Sequence, residues 1–238
     1  PAGISAAEKT DQTANWTMTA DVTTYALRTA YNIAQSGGDF NLTILSGGLI
    51  VNGDSTIDSL VNFGGGGSAE GLVYVKSNAT ATLTNAVTSS DLTKFGGGTL
   101  ALTSFNSLGD IFVQAGTLAS AEGMSLGSGN NVYLANGTTL RSLGHQFYVD
   151  NPDIENVYDQ NVQIGSGSVT LAVDSTGGGR MTSIGEISSG SVAPVTINKT
   201  GGGSATFAGS FAITSGATLN VNQGVANMNT DLGTENLS

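Results

Sequence analysis

The residues most capable of chemistry are gathered in one irregular stretch, residues 141–159. It contains the only histidine of the chain, His145, together with Tyr148 and Tyr158. Because aromatic rings on an exposed loop can act as platforms for a sugar ring or a protein, we predict weak partner or glycan binding by these three residues. A solvated excursion between structural repeats is the plainer interpretation, and the sequence favours it.

The same stretch offers carboxylates that could supply oxygen ligands to calcium. They are Asp150, Asp153, Glu155 and Asp159. Known calcium loops place such ligands at intervals marked by glycine, and this stretch lacks that spacing. Calcium binding is therefore the weaker of the two functional predictions for these residues.

Catalytic chemistry has less support in the sequence. His145 could join a serine–histidine–aspartate triad only with partners from elsewhere, and in a chain this rich in serine their presence is uninformative. Paired carboxylates for glycoside hydrolysis, or calcium-binding aspartates with Arg180 as a base for polysaccharide elimination, are compatible with the chain, but no spacing singles them out. We expect no catalytic residues, no cofactor and no enzymatic activity.

An internal repeat defines the elements that must position any site. The phrase LTKFGGGTLAL at 92–102 recurs 105 residues later as INKTGGGSATF at 197–207, and a second glycine motif follows each copy, at 113–118 and 213–219. The unit is a series of short strands joined by glycine turns. Such units bury their apolar faces only by stacking, so the sequence predicts an all-β fold, a parallel β-helix or β-solenoid.

The two copies of the phrase place a lysine at the same point, Lys94 and Lys199. A residue repeated with its turn indicates a structural role, such as donating hydrogen bonds to the carbonyls of the glycine turn that follows. The predicted turn residues are Gly96, Gly97, Gly98, Gly201, Gly202 and Gly203. Neither glycine run leads into a helix or a Lys-Ser/Thr pair, so neither is a phosphate loop.

Composition excludes several classes of partner. The chain has 35 Gly, 3 Pro and 11% charged residues, and its net charge of −11 argues against nucleic acid and anionic membrane surfaces. There is no cysteine, which excludes disulfides and cysteine-ligated metals. No apolar run is long enough to span a bilayer, so we expect no membrane insertion of this segment.

The two ends differ from the middle of the sequence. Residues 1–40 are predicted to form an N-terminal cap or opening segment, either a strand pair or a short helix, and residues 41–238 the solenoid repeats of one elongated domain with an excursion at about 141–160. No cap is evident at the C-terminus. The chain could be cut from a longer solenoid, or its open end could stack head to tail on another copy.

The phrase at Lys94–Leu102, with Ala115–Leu118 behind it, resembles the autotransporter-associated β-strand repeat of passenger regions in secreted bacterial surface proteins. The second copy matches more loosely, since Ser204–Phe207 stands where Thr-Leu-x-Leu is usual. The resemblance implies a right-handed parallel β-helix exposed on, or shed from, a Gram-negative-type outer surface as a processed or excised segment.

Two functions remain open from the sequence. The first is a non-enzymatic extracellular β-solenoid serving as a structural stalk, an adhesin or a self-associating surface fibre subunit, with contacts to host or bacterial surface glycans, to proteins or to identical rods. The alternative is a polysaccharide-acting β-helix enzyme, a lyase or hydrolase. A groove with two carboxylates about 5 to 10 Å apart would support the enzyme.

Overall fold

The computed structural model describes residues 8–143, 156–174, 180–183 and 185–228. These residues form short strands and one 3-10 turn, Gly123–Leu126. The first fifteen strands are β1 (Lys9–Asp11), β2 (Trp16–Met18), β3 (Val22–Thr24), β4 (Ala26–Thr29), β5 (Ile33–Gln35), β6 (Asn41–Ile44), β7 (Gly48–Val51), β8 (Ser55–Ile57), β9 (Leu60–Phe63), β10 (Gly71–Val75), β11 (Thr80–Leu83), β12 (Val87–Ser89), β13 (Leu92–Phe95), β14 (Thr99–Leu102) and β15 (Ser107–Leu108).

The remaining strands continue the same pattern along the chain. They are β16 (Ile111–Val113), β17 (Thr117–Ser120), β18 (Asn131–Leu134), β19 (Thr139–Ser142), β20 (Asn156–Tyr158), β21 (Asn161–Ile164), β22 (Ser168–Val173), β23 (Arg180–Ser183), β24 (Ile187–Ser189), β25 (Thr196–Thr200), β26 (Ser204–Phe207), β27 (Phe211–Ala212), β28 (Thr218–Val221) and β29 (Val225–Met228).

The strands stack into parallel sheets that run along a solenoid. Sheet A has ten strands in the order β1-β4-β7-β10-β13-β16-β18-β21-β24-β27, and sheet B has ten in the order β2-β5-β8-β11-β14-β17-β19-β22-β25-β28. The third side consists of a five-stranded sheet, β3 to β15, and a four-stranded sheet, β20 to β29. The predicted all-β parallel solenoid is confirmed.

Alternation along each strand builds the core. On β7, Leu49 and Val51 are buried, and the next coil places Val73 and Val75 directly on them. Because successive side chains of a strand point to opposite faces, the residues between them face outward. The interior is therefore a continuous apolar column, and each flank of the rod presents the alternate set.

The third side is interrupted where the 3-10 turn takes the place of a strand. Side-chain amides brace the turn: Asn106 Nδ2 donates to Ser125 O at 2.7 Å, and Gln160 Nε2 donates to Gly127 O at 2.8 Å. The two amides satisfy carbonyls that a ladder strand would otherwise pair. The break is thus closed by side chains.

Aspartate and asparagine residues fasten one coil to the next at the start of sheet A strands. The Asp110 N–H donates to Asp91 Oδ1 at 2.9 Å, and the Asn131 N–H donates to Asp110 Oδ1 at 3.0 Å. Further along, the Glu186 N–H donates to Asn161 Oδ1 at 3.0 Å. These side chains satisfy backbone donors at corners, so they act as structural caps.

The first coils are built like the others. Strands β1 to β5 pair in the same parallel ladders as the later coils, with Leu27 opposite Leu49 across β4 and β7. Over residues 8–40, which the structure describes, the short helix considered for this part of the sequence is not formed. In the described residues, the first strand of these ladders begins at Lys9.

Candidate interaction face

Lys94 holds the corner between sheets A and B. Its side chain points inward on β13, between Val73 and Val113 of the neighbouring coils, and is fully buried. The Nζ group donates to the carbonyls of Phe95, Gly96 and Ala115 at 2.9, 2.6 and 2.9 Å. Burial lowers the pKa of Lys94 to about 8.

Lys199 repeats this arrangement at another corner. Its Nζ donates to the carbonyls of Thr200, Gly201 and Gln223 at 2.7, 2.9 and 3.0 Å, and burial lowers its pKa. However, Lys199 lies at the end of β25 in sheet B, and its turn leads to β26 on the third side. The two copies of the phrase therefore form the same local corner at different places in the coil.

The glycine after the lysine has a steric reason. Gly96 has φ +74°, and a Cβ added there would lie 2.1 Å from Val75 O in the preceding coil. Both the positive φ and the close backbone approach demand glycine. The lysine and the glycine together allow adjacent coils to stack tightly at the corner.

Tyr158 does not stand on an exposed loop, contrary to the prediction. It lies on β20 with its side chain inward and only 2% exposed, and its hydroxyl is 3.0 Å from Ser120 Oγ. Burial raises the pKa of this phenol. In the region of the predicted excursion, about 141–160, β19 extends to Ser142 and β20 begins at Asn156.

Asp159 braces the turn of the neighbouring coil. Its carboxylate accepts hydrogen bonds from Ser128 Oγ at 2.9 Å and the Gly129 N–H at 3.1 Å. No group of three histidine, aspartate or glutamate side chains within the described ranges is placed to hold a metal ion. The other predicted binding and calcium residues lie outside the described residues: His145, Tyr148, Asp150, Asp153 and Glu155.

The outer face of sheet A carries a patch of large apolar side chains. Each is between 39% and 41% exposed, and all stand on neighbouring strands in register: Ile50, Leu72, Tyr74 and Phe95. The patch continues onto Phe112 and Tyr133, whose rings stack with centroids 4.7 Å apart. We call this set the apolar face. Contiguous apolar surface of this kind marks sites of contact with partners.

An open hollow of about 530 Å³ lies on the apolar face. Small residues form its floor: Ala26 and Gly48 lie side by side, and a Cβ added at Gly48 would meet the Ala26 Cβ at 3.8 Å. At one end the exposed ion pair of Arg28 with Asp11 borders the hollow, and Lys9 lies beside it. The arrangement suits an apolar side chain of a partner rather than acid–base chemistry.

The same outer face becomes polar toward the C-terminal coils. A shallower hollow of about 210 Å³ is lined by Asn131, Tyr133, Asn161, Gln163, Glu186 and Ser188. Tyr133 OH lies 3.4 Å from Asp110 Oδ2, and burial together with that carboxylate raises the pKa of the phenol. Apolar contact is therefore confined to the β4–β18 part of sheet A.

Sequence reasoning missed the apolar face. The signal was present in Gly71–Val75, where Leu72 and Tyr74 occupy the outward positions of a strand whose inward positions are also apolar. A strand covered on one face alternates apolar and polar residues. Loss of that alternation in a strand not covered on its second side indicates a contact surface.

The chain was also compared with known proteins. No family model, curated protein or solved structure matches it. Within the described residues, no helix has both the length and the apolar character that crossing a membrane requires.

Proposed function

We propose that the chain works as a non-enzymatic β-solenoid of a bacterial outer surface, a stalk, adhesin or self-associating fibre unit that meets its partners through the apolar face. The location rests on the resemblance of the Lys94–Leu102 phrase to the passenger repeat. The mode of action rests on the geometry of sheet A.

The apolar face is the observation that carries the proposal. Four large side chains on adjacent strands keep about 40% of their surface in water, whereas the inward apolar residues of the same strands are buried. Exposed apolar area costs roughly 25 cal/mol per Å² relative to burial, so covering it favours association. The outer side of sheet A presents this area as one continuous surface, because these residues lie on neighbouring strands in register.

The carboxylates near sheet A support a structural interpretation. Asp91 and Asp110 accept backbone N–H groups from the next coil, and Asp11 pairs with Arg28. A hydrolase needs one carboxylate free to transfer a proton and another free to attack or to activate water. The carboxylates of Asp11, Asp91 and Asp110 instead hold the coils together through these contacts.

One experiment separates contact from catalysis. The purified chain is incubated with immobilised bacterial and host cell surfaces and with a panel of soluble polysaccharides, and both retention and polysaccharide chain length are measured. We expect retention without shortening of any polysaccharide, and retention reduced at least about tenfold by Tyr74→Ser. New chain ends above the buffer control would overturn the proposal.

A further inference from the structure

We propose that the apolar face binds a second copy of this chain, with the two rods side by side and parallel. This inference rests on the proposed use of the face for contact and adds the identity of the partner. It is argued from the pattern of large and small residues, from the charges at the end of the face and from the chemistry of the hollow.

The outward residues of sheet A form two columns, two residues apart along each strand. The downstream column is made of large side chains: Arg28, Ile50, Tyr74 and Phe95. The upstream column carries Ala26, Gly48, Leu72 and Thr93 on β4 to β13, and it continues with Phe112 and Tyr133 on β16 and β18. On β4 and β7 the ridge therefore runs beside a trough at Ala26 and Gly48, which line the hollow. On β16 and β18 the large side chains, Phe112 and Tyr133, lie in the upstream column instead.

A two-fold axis parallel to the rod, midway between the columns, makes this surface complementary to itself. It places the ridge of each copy over the trough of the other, with Ile50 above Gly48 and Phe95 above Thr93. Tyr74 then packs on Leu72, apolar on apolar. Interfaces of this isologous type use one patch on both subunits, and close packing of large against small residues matches what stable interfaces need.

Charge supports the same arrangement. At the N-terminal end of the face, Asp11 lies in the ridge column and Lys9 in the trough column, opposite Arg28 and Ala26. The axis therefore places Asp11 of one copy, which keeps its pair with Arg28 of its own chain, over Lys9 of the other, where its exposed side can meet the second cation. Antiparallel rods would instead stack each column on itself, ridge against ridge. The parallel pairing is the one in which both shape and charge fit.

A second copy fits the hollow better than a glycan does. Ile50, Leu72 and Gly48 offer no side-chain donors or acceptors, whereas sugar hydroxyls must be hydrogen-bonded when they leave water. The patch is small for a protein interface, so we expect a weak pair with a dissociation constant on the order of micromolar. Two rods of charge −11 repel one another, so added salt should tighten the pair.

The first test is sedimentation equilibrium over a concentration series, from about 1 µM to several hundred µM. We expect a monomer–dimer equilibrium whose dissociation constant rises at least about tenfold in Ile50→Lys and falls when salt is added. The matched control is Thr56→Lys, an exposed outward residue on sheet B in the same coil, which should leave the constant unchanged. Circular dichroism verifies that both variants fold.

The second test reports the orientation of the rods. The chain has no cysteine, so Ala212→Cys gives one spin-label site on the outer face of β27, six strands from β10. With strands about 4.8 Å apart, parallel rods place the two labels within roughly 20 Å, and antiparallel rods place them beyond about 50 Å. Double electron–electron resonance measures this distance, and the longer value would overturn the parallel pairing.

The outcomes separate this inference from the proposed function. A monomer at every concentration, with cell or glycan retention still lost in Ile50→Lys, overturns self-pairing and leaves the apolar face as a contact site for another molecule. A monomer whose retention is unaffected by Ile50→Lys overturns both. A dimer that persists in Ile50→Lys overturns the assignment of the interface to sheet A.

Discussion

Sheets A and B are two flanks of one solenoid with different outward residues. Each has ten parallel strands on the same core. The outer face of sheet A presents Ile50, Leu72, Tyr74 and Phe95, whereas that of sheet B presents a ladder of threonines in register. The ladder consists of Thr80, Thr99, Thr117, Thr139 and Thr170.

The inward residues of both sheets are mostly apolar and buried. The fold therefore does not require that the outer faces of the two sheets differ. Threonine stabilises a sheet by cross-strand contacts and stays well solvated. Large apolar residues also favour strands, but on an outer face they leave apolar surface exposed to water, which a partner can cover. The inner residues and the corners therefore specify the fold, and we propose that the outer residues of one flank provide contact.

The largest expected effect comes from the corner that joins the two sheets. Lys94→Met leaves the carbonyls of Phe95, Gly96 and Ala115 without their buried donor, at a cost of 1 kcal/mol or more each, partly offset because a buried charge is removed. We expect the free energy of unfolding to fall by about 2–4 kcal/mol. Denaturant titration measures it, with exposed Lys76→Met as control; equal losses in both variants would refute this role.

The next largest effect is expected when the outer face of sheet A is given the residues typical of sheet B. A fourfold variant places threonine at positions 50, 72, 74 and 95, which gives sheet A the outward character of sheet B. We expect dimerisation to weaken by at least about tenfold, which is about 1.4 kcal/mol, because the apolar area is lost. The unfolding free energy should change by less than about 1 kcal/mol, since no inward residue is altered. Dimerisation as strong as that of the unaltered chain would contradict the assignment of the interface to sheet A.

A smaller effect is the pH dependence of stability. The folded pKa of Lys94 is about 8, below the ordinary 10.5, so between these values the unfolded chain binds more protons than the folded one. Stability therefore rises with pH in this window. We expect a gain of about 1 kcal/mol from pH 8 to 9.5, after allowance for solvent screening, and a smaller gain in Lys94→Met. Identical pH profiles would contradict the buried amine.

The smallest effect belongs to the threonine ladder. Thr117→Ala removes one cross-strand contact from sheet B, so the free energy of unfolding should fall by about 0.5 kcal/mol. Dimerisation should not change, because this flank takes no part in it. Sedimentation equilibrium of the variant measures this. A changed dissociation constant would show that sheet B contributes to dimerisation and would contradict the distinction between the flanks.

The sequence was sufficient to predict the fold because strand and turn signals are local. The phrase at 92–102 contains an inward lysine, a glycine with positive φ and two apolar strands, and each part acts within one corner. The place of that corner in the coil could not be predicted. Partners in adjacent coils lie 19 residues apart at Lys94 and Val113 but 30 apart at Leu134 and Ile164, so a spacing of 105 residues does not return to the same corner.

The contact surface was harder to predict than the fold. Aromatic and acidic residues near Tyr158 in the sequence predict a binding role for it, yet β20 turns its ring inward, beside Ser120. The apolar face depends on residues such as Ile50 and Phe95, which are 45 positions apart and meet only through the register of the coils. Inward and outward positions must be known before such a patch is visible.

We propose that two copies of this rod pair through the outer face of sheet A. Hydroxyl-radical footprinting at low and high protein concentration tests it at the residues themselves. We predict that Tyr74 and Phe95 react more slowly at high concentration, while Phe105, exposed elsewhere on the rod, reacts at an unchanged rate. Equal rates for all three rings at both concentrations would contradict pairing through sheet A.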